Sequence, residues 1–241
     1  ASDDDKGHAT AGDAARIAAL LARRLQIDPM LVNAAYEDVH YYLWREKRLP
    51  ANVVAEDARL RDPLERARLA RVFNRGLAAP VGSVLPLRRV IQDGSRRWQS
   101  GRWYFRDDTL FLIPGDSPIG FRLPLESLPW MSEADAARHF ETEADPFAPR
   151  EPLPPRQAFE RGRGGDGRGP VSDPFRPMPQ DTPVVGQSDP GLVRTAMTVE
   201  ARDGLLHVFY PPLYDAADWL DLTAAIESTA EETGQKVVLE G

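Results

Sequence analysis

The sequence predicts an α+β protein with an N-terminal helical unit, then a small antiparallel β-meander, then a ββαβ unit after a long Pro/Gly-rich linker. Three observations predict this class. Apolar residues recur at helical spacing as far as Asn74, short β-rich runs broken by turn dipeptides follow from Val81, and half of the 22 prolines lie in 144–190. The chain therefore divides into a disordered tag left by cloning (1–11), a helical and small-sheet unit (12–143), a partly disordered linker (144–192) and the ββαβ unit (193–241).

Composition and charge exclude several classes of protein. The chain has 241 residues, 42% of them hydrophobic, and a formal charge of −7, which is typical of a globular protein with a buried core. The acidic balance argues against a nucleic-acid partner. No apolar run reaches the roughly 18–20 residues of a membrane helix, and the absence of cysteine excludes thiolate chemistry in this chain. We expect a cytoplasmic protein that binds neither nucleic acid nor membrane.

Three helices are predicted in the N-terminal unit. The first covers 13–26 with Asp13 as its cap, and the second runs from Pro29 to about Lys47 on one apolar stripe. The third begins at Pro63, runs to Asn74 and ends before Gly76. The region is thus predicted to open as a three-helix unit.

Strands are predicted wherever short β-rich runs alternate with turn residues such as Asp93-Gly94. A further helix over 132–143 begins at the cap residue Ser132. The Gly/Arg-rich run 161–169 is expected to be disordered. In the C-terminal unit, Asp203-Gly204 predicts a hairpin, followed by a helix over 215–233. The predicted strands are Val81–Val90, Trp98–Phe105, Thr109–Ile113, Gly120–Leu125, Val193–Ala201, Leu205–Tyr210 and Lys236–Glu240.

Three groups of residues could carry chemistry. The aromatic and basic run Tyr41–Arg48 could cradle an anion or nucleotide, although cations in a last helical turn also simply favour the helix dipole. The loop Ile113–Gly120 offers Asp116 and Ser117 to a ligand and glycines to a phosphate, or it is a rigid turn. Strand-borne carboxylates at Glu200 and Glu240, with His207 nearby, could hold Mg²⁺ or could lie on a solvated face.

Several longer motifs together resemble a known family. The chain is similar to the amidoligase region of large bacterial proteins that begin with a transglutaminase-like domain, over roughly 14–241 without the linker. Because the chain stops at the apolar run Val237–Glu240, we expect a segment excised from such a protein. The motifs that carry the resemblance are Tyr41–Pro50, Pro63–Phe73, Pro80–Leu87, Leu110–Leu125, Ser127–Trp130, Arg194–Gly204 and Leu206–Phe209.

The resemblance implies a carboxylate–amine ligase that uses Mg and ATP, with a peptide or amino acid as substrate and the flanking domains as partners. Glu200 and Glu240 would then be metal ligands, and Arg202 or Arg122 would neutralise phosphate charge. Family members continue into a Gly-Gly-Gly-Asn-His segment, so we expect this chain to be inactive alone, and its catalytic residues are unknown.

The alternative is a non-catalytic module that presents a peptide or protein to neighbouring catalytic domains. A ligase predicts that Glu200, Glu240 and a basic residue meet in one cleft. A scaffold predicts that these side chains are scattered on solvated faces.

Overall fold

A computed structural model describes residues 7–47, 62–92, 95–105, 108–135, 152–153, 184 and 187–241. Both helices and strands occur in these segments, which confirms the α+β class. Among the described residues, single turns of 3₁₀ helix lie at Pro29–Leu31, Ile119–Arg122 and Leu125–Ser127. The α-helices and strands are α1 (Ala11–Arg24), β1 (Asn33–Glu37), α2 (Val39–Lys47), α3 (Pro63–Arg75), β2 (Gly82–Pro86), β3 (Arg88–Gln92), β4 (Ser95–Gln99), β5 (Leu110–Leu112), β6 (Ala196–Arg202), β7 (Leu205–Phe209), α4 (Ala216–Thr233) and β8 (Val237–Glu240).

The first helix begins with a reciprocal cap. The Thr10 hydroxyl accepts a hydrogen bond from the Asp13 amide at 3.3 Å, and the Asp13 carboxylate accepts one from the Thr10 amide at 2.9 Å. The cap is therefore Thr10 and not the predicted Asp13. The Ala9 amide also donates to the Gly204 carbonyl at 3.0 Å. Residues 9 and 10, which the sequence assigns to a disordered tag, thus make defined contacts with the fold.

The predicted second helix is wrong in its first half. Asp28 caps a 3₁₀ turn, and the chain then extends as β1 before α2 begins at Val39. The reason is non-local, because Ala35 pairs with Gly82 on one side and Leu110 on the other. Strand pairing on both sides overrides a stripe that is also compatible with a helix. The third helix is confirmed and is followed by Gly76 at φ +85°.

The strands form a six-stranded sheet in the order β5-β1-β2-β6-β7-β8, and β3 and β4 form a two-stranded antiparallel hairpin. The strands of the predicted antiparallel meander are therefore divided, since β3 and β4 pair with each other whereas β2 and β5 join the larger sheet. The β1–β5 and β7–β8 pairs are parallel and the other three pairs are antiparallel. Five residues of β2 pair with β6, from Gly82 opposite Glu200 to Pro86 opposite Ala196. The N-terminal and C-terminal units therefore share a sheet. The predicted strand Gly120–Leu125 is wrong, since this segment includes 3₁₀ turns.

The predicted ββαβ unit is confirmed. Asp203 and Gly204 both have positive φ, +53° and +78°, as a two-residue hairpin turn requires. Asp215 caps α4, and Gly234 ends it at φ +65°. The predicted cap Ser132 accepts a hydrogen bond from the Asp135 amide at 3.1 Å. Residues 93–94, most of the predicted linker, the run 161–169 and the rest of the helix predicted from Ser132 lie outside the described residues.

The two faces of the sheet are covered differently. Helices α1 and α4 pack on one face, where Leu21, Met197 and Leu222 are fully buried. On the other face Ile119 and Trp103 pack against β1, β2 and β5, and we call this the second face. Among the described residues no helix has the length and apolar character needed to cross a membrane. Glu200 of β6 and His207 of β7 belong to the second face.

Candidate functional site

Three adjacent strands bring four polar side chains together on the second face. Side chains alternate along a strand, so Glu200 and Arg202 point away from the helix-covered side that holds Val199. Glu200 lies directly opposite His207 of β7. Glu240 extends from the end of β8, which pairs with β7. We call Glu200, Arg202, His207 and Glu240 the Arg202 cluster.

The Arg202 guanidinium is the centre of this cluster. Its Nη1 donates to Glu200 Oε1 at 3.2 Å, and its Nη2 lies 2.6 Å from His207 Nδ1. The guanidinium also forms an ion pair with Glu240, whose Oε1 is 3.0 Å from His207 Nδ1. The Arg202 side chain is 33% exposed, whereas Glu200 is 10% and His207 12% exposed. Solvent therefore reaches the cluster mainly at the cation.

Burial changes the acid–base chemistry of Glu200. Desolvation raises the pKa of Glu200 above its usual value, and the Glu240 charge raises it further. The Arg202 charge and a hydrogen bond from the Ile119 amide act in the opposite direction. In the described part of the chain the buried Oε2 of Glu240 has no hydrogen-bond partner. The cluster thus offers a carboxylate disposed to take a proton and a free acceptor oxygen beside it.

The predicted metal role of Glu200 and Glu240 does not fit this arrangement. Both carboxylates contact the Arg202 guanidinium, which occupies the space between them. Mg²⁺ prefers several oxygen ligands in near-octahedral geometry. Within the described segments no group of three or more His, Asp or Glu side chains could hold a metal ion.

A glycine-containing turn covers the second face beside the cluster. A Cβ on Gly120 would lie 2.3 Å from Cδ1 of Phe209, and a Cβ on Gly82 would lie 2.9 Å from Cδ1 of Ile119. Phe121 packs edge-on against Phe209 with ring centroids 4.7 Å apart. Only glycine allows this close approach. The Ile-Gly-Phe-Arg part of the motif therefore positions the amide that bonds to Glu200.

The structure places Arg122 apart from the Arg202 cluster, in a buried pair. Its Nη2 donates to Glu37 Oε2 at 2.5 Å, and its Nη1 donates to Oε1 at 3.2 Å. Its Nε donates to the Ile113 carbonyl at 2.8 Å. Both side chains are less than 10% exposed. This two-point pairing anchors the loop to β1, so the predicted phosphate role of Arg122 does not fit its position.

The remaining candidates also lie outside the Arg202 cluster. Asp116 is half-exposed and pairs with Arg71 of α3, and Ser117 is exposed. In the segment Tyr41–Arg48, the Tyr42 hydroxyl is buried and lies near Glu37. Burial is the larger cause and the Glu37 charge the smaller cause that together raise the pKa of Tyr42 to about 12. The side chains of its basic residues lie outside the described residues, so the predicted anion cradle stays a prediction.

Sequence reasoning misses an ionic network that holds the β3–β4 hairpin against α4. Arg96 pairs with Asp215 at 2.6 Å and with Asp218 at 3.0 Å. Arg89 pairs with Asp218 and, at 2.9 Å, with Asp221. The three aspartates are three residues apart and so share one helix face. That spacing is the signal that could have found the network.

One protein-family model matches the whole chain. The family is described as "Putative amidoligase enzyme (DUF2126)", and its model matches residues 1–241. The match includes the first ten residues, which the sequence assigns to a tag. No curated protein and no solved structure matches this chain.

Proposed function

The chain belongs to the putative amidoligase family, and from that premise we propose that the protein joins a carboxylate to an amine at the expense of ATP. The observation that carries the proposal is the convergence of two carboxylates and a histidine on Arg202. A bacterial parent protein with a transglutaminase-like domain, flanking domains as partners and an amino-acid or peptide substrate belong to the same proposal.

The reaction defines what the protein has to supply. A carboxylate oxygen attacks the γ-phosphorus of ATP, ADP leaves, and an acyl phosphate remains. The amine nitrogen then attacks the acyl carbon, phosphate leaves with the C–O bonding electrons, and the nitrogen gives its proton to a base. An amine arrives at neutral pH as an ammonium ion, so the site needs negative charge to bind it and a base to deprotonate it.

The Arg202 cluster suits the ammonium better than the triphosphate. Its two carboxylates and one guanidinium together carry a formal charge of −1, which attracts a cation. We assign ammonium binding to Glu200 and the free Glu240 oxygen. Glu200 is the base, because burial moves its pKa towards the working pH. Arg202 orients both carboxylates, and its predicted phosphate role is less favoured because its charge is already balanced.

A recognition module is the second candidate, and a specific observation favours it. The side chains around Arg202 do not form a set of ligands that fits Mg²⁺, and ATP chemistry requires this ion. The same net negative cluster could bind a cationic group of a peptide or protein without any turnover. The two candidates therefore differ in whether ATP is consumed.

The experiment measures ADP release by the full-length parent protein, because this chain is expected to be inactive alone. The assay contains Mg·ATP, a panel of the common amino acids as carboxylates, and either ammonium or hydroxylamine as the amine. Hydroxylamine is largely unprotonated at neutral pH and needs no base before it attacks. Glu200→Gln is expected to slow the ammonium reaction at least ~100-fold and the hydroxylamine reaction far less. Glu231→Gln, on an exposed position of α4, is the matched control and should retain both rates.

Two outcomes would overturn the proposal. An E200Q protein that keeps the wild-type rate with ammonium removes Glu200 as the base. If none of the carboxylates gives ADP release with either amine, the ligase proposal fails for this panel of substrates and the recognition module is favoured.

A further inference from the structure

A polar cavity lies near the start of β6, at the opposite end of that strand from the Arg202 cluster. It has a volume of about 160 Å³ and sits where β6 begins, whereas Arg202 is at the end of that strand. Seven residues of strand span about 23 Å, so the two sites are separate. The lining of the cavity includes Arg88, Arg89, Arg194, Tyr214 and Asp218.

One of the three arginines is already neutralised. Arg89 pairs with Asp218 at 3.0 Å and with Asp221 at 2.9 Å. Its guanidinium also stacks over the Trp98 ring at 4.6 Å from the centroid. The Arg89 side chain therefore forms a fixed wall of the cavity, and its charge is already balanced by the two aspartates.

Among the described residues, the other two arginines have only neutral hydrogen-bond acceptors. Arg88 Nε donates to the Gln99 side-chain oxygen at 2.8 Å, and Arg194 Nη2 donates to the Pro129 carbonyl. The buried Arg194 Nε has no hydrogen-bond partner among the described residues. Burial lowers the pKa of both guanidinium groups, and for Arg194 the more distant Asp189 charge opposes this only in part.

The one acidic residue that lines the cavity cannot balance these charges. Asp218 Oδ1 lies 3.0 Å from Arg89 Nε and 3.0 Å from Arg96 Nη1. A carboxylate shared by two guanidiniums has no charge left for a third. Two partly buried cations next to an empty space are costly unless an anion offsets them.

We propose that this cavity binds a compact oxyanion, a phosphate group or a carboxylate, held by Arg88 and Arg194. A guanidinium presents donors in a planar fork that matches both kinds of oxyanion. A cavity of about 160 Å³ has room for one phosphate or carboxylate head group. Tyr214, which is largely exposed, stands at the mouth of the cavity.

The test titrates inorganic phosphate and, separately, acetate into the 241-residue chain by calorimetry, with chloride keeping the ionic strength constant. Saturable binding of one anion is expected, and the anion that binds identifies the head group. Arg88→Gln and Arg194→Gln should each weaken that binding at least tenfold, since each removes charged hydrogen bonds. Arg23→Gln, at an exposed position of α1, is the matched control and should bind as the wild type does.

Arg194 also hydrogen-bonds to the Pro129 carbonyl, so replacing it removes a structural contact as well as a charge. A measurement on the wild-type protein does not depend on how that variant folds. The ¹⁵N–¹H signal of Arg194 Nε should shift on saturation with the anion, since this donor gains an acceptor. Absence of binding by both anions would overturn the proposal. Wild-type affinity in both R88Q and R194Q, or an unmoved Nε signal at saturation, would also overturn it.

Discussion

The contact between Gly120 and Phe209 gives the sharpest stability prediction. A Cβ at residue 120 would lie 2.3 Å from Cδ1, 2.6 Å from Cγ and 2.8 Å from Cε1 of the Phe209 ring. Carbon atoms prefer about 3.5–4.0 Å, so the overlap exceeds an ångström. Phe121 packs against the same ring and limits its retreat. We expect Gly120→Ala to lower the free energy of unfolding by about 2 kcal/mol, within the usual cost of overpacking.

The assay is urea unfolding of the 241-residue chain, with Gly115→Ala as the control. A Cβ at Gly115 meets nothing closer than the Arg122 side chain at 3.8 Å, so this variant should stay within about 0.5 kcal/mol of wild type. Phe209→Leu should reduce the cost of Gly120→Ala, because the two sites are coupled. Equal stability of the G120A and G115A proteins would refute the close seating of this turn on the sheet.

Three further predictions follow from single contacts. Arg122→Met leaves the buried Glu37 carboxylate without its main partner and should cost about 3–5 kcal/mol in urea unfolding; a loss below about 1 kcal/mol would contradict the buried pair. Thr10→Ala removes the cap of α1 and should lower stability by about 1 kcal/mol, whereas an unchanged midpoint would return residue 10 to a disordered tag. Burial raises the pKa of Glu200 in the folded state above its ordinary value of 4.5. Between the ordinary pKa of the unfolded chain and the raised pKa of the folded state, the folded state therefore binds more protons than the unfolded state. This carboxyl group therefore makes stability fall as pH rises through that window, and Glu200→Gln should remove this part of the fall; identical pH profiles would contradict the raised pKa.

Local signals in the sequence predict the C-terminal unit well. The Asp203-Gly204 turn, the start of α4 near Asp215 and its end at Gly234 depend on backbone conformations that neighbouring residues dictate. The same holds for α3 and for the positive φ of Gly76. Such features are readable because their causes lie within a few residues.

The errors have non-local causes. Ala35 belongs to a strand because Gly82 and Leu110 pair with it from distant parts of the chain. Gly120–Leu125 has strand-like composition but forms turns that pack over β6 and β7. Similarly, nothing local in the sequence indicates that Gly82 will lie opposite Glu200 and so join the two units in one sheet.

The candidate site is partly readable for the same reason. Strand positions alone indicate that Glu200, His207 and Glu240 could meet, and the structure brings them together around Arg202. The partner of Arg122 could not be predicted, since Glu37 lies in the segment that the sequence assigns to a helix. Which acid offsets which base depends on the register of strands, and a single sequence does not show it.

The most direct test of the proposed ligase is calorimetric titration of a non-hydrolysable Mg·ATP analogue into the full-length parent protein, because this chain is expected to be inactive alone. The proposal predicts saturable binding of one nucleotide per protein chain. Heats no larger than dilution would contradict it and would favour a module that recognises a cationic group without using ATP.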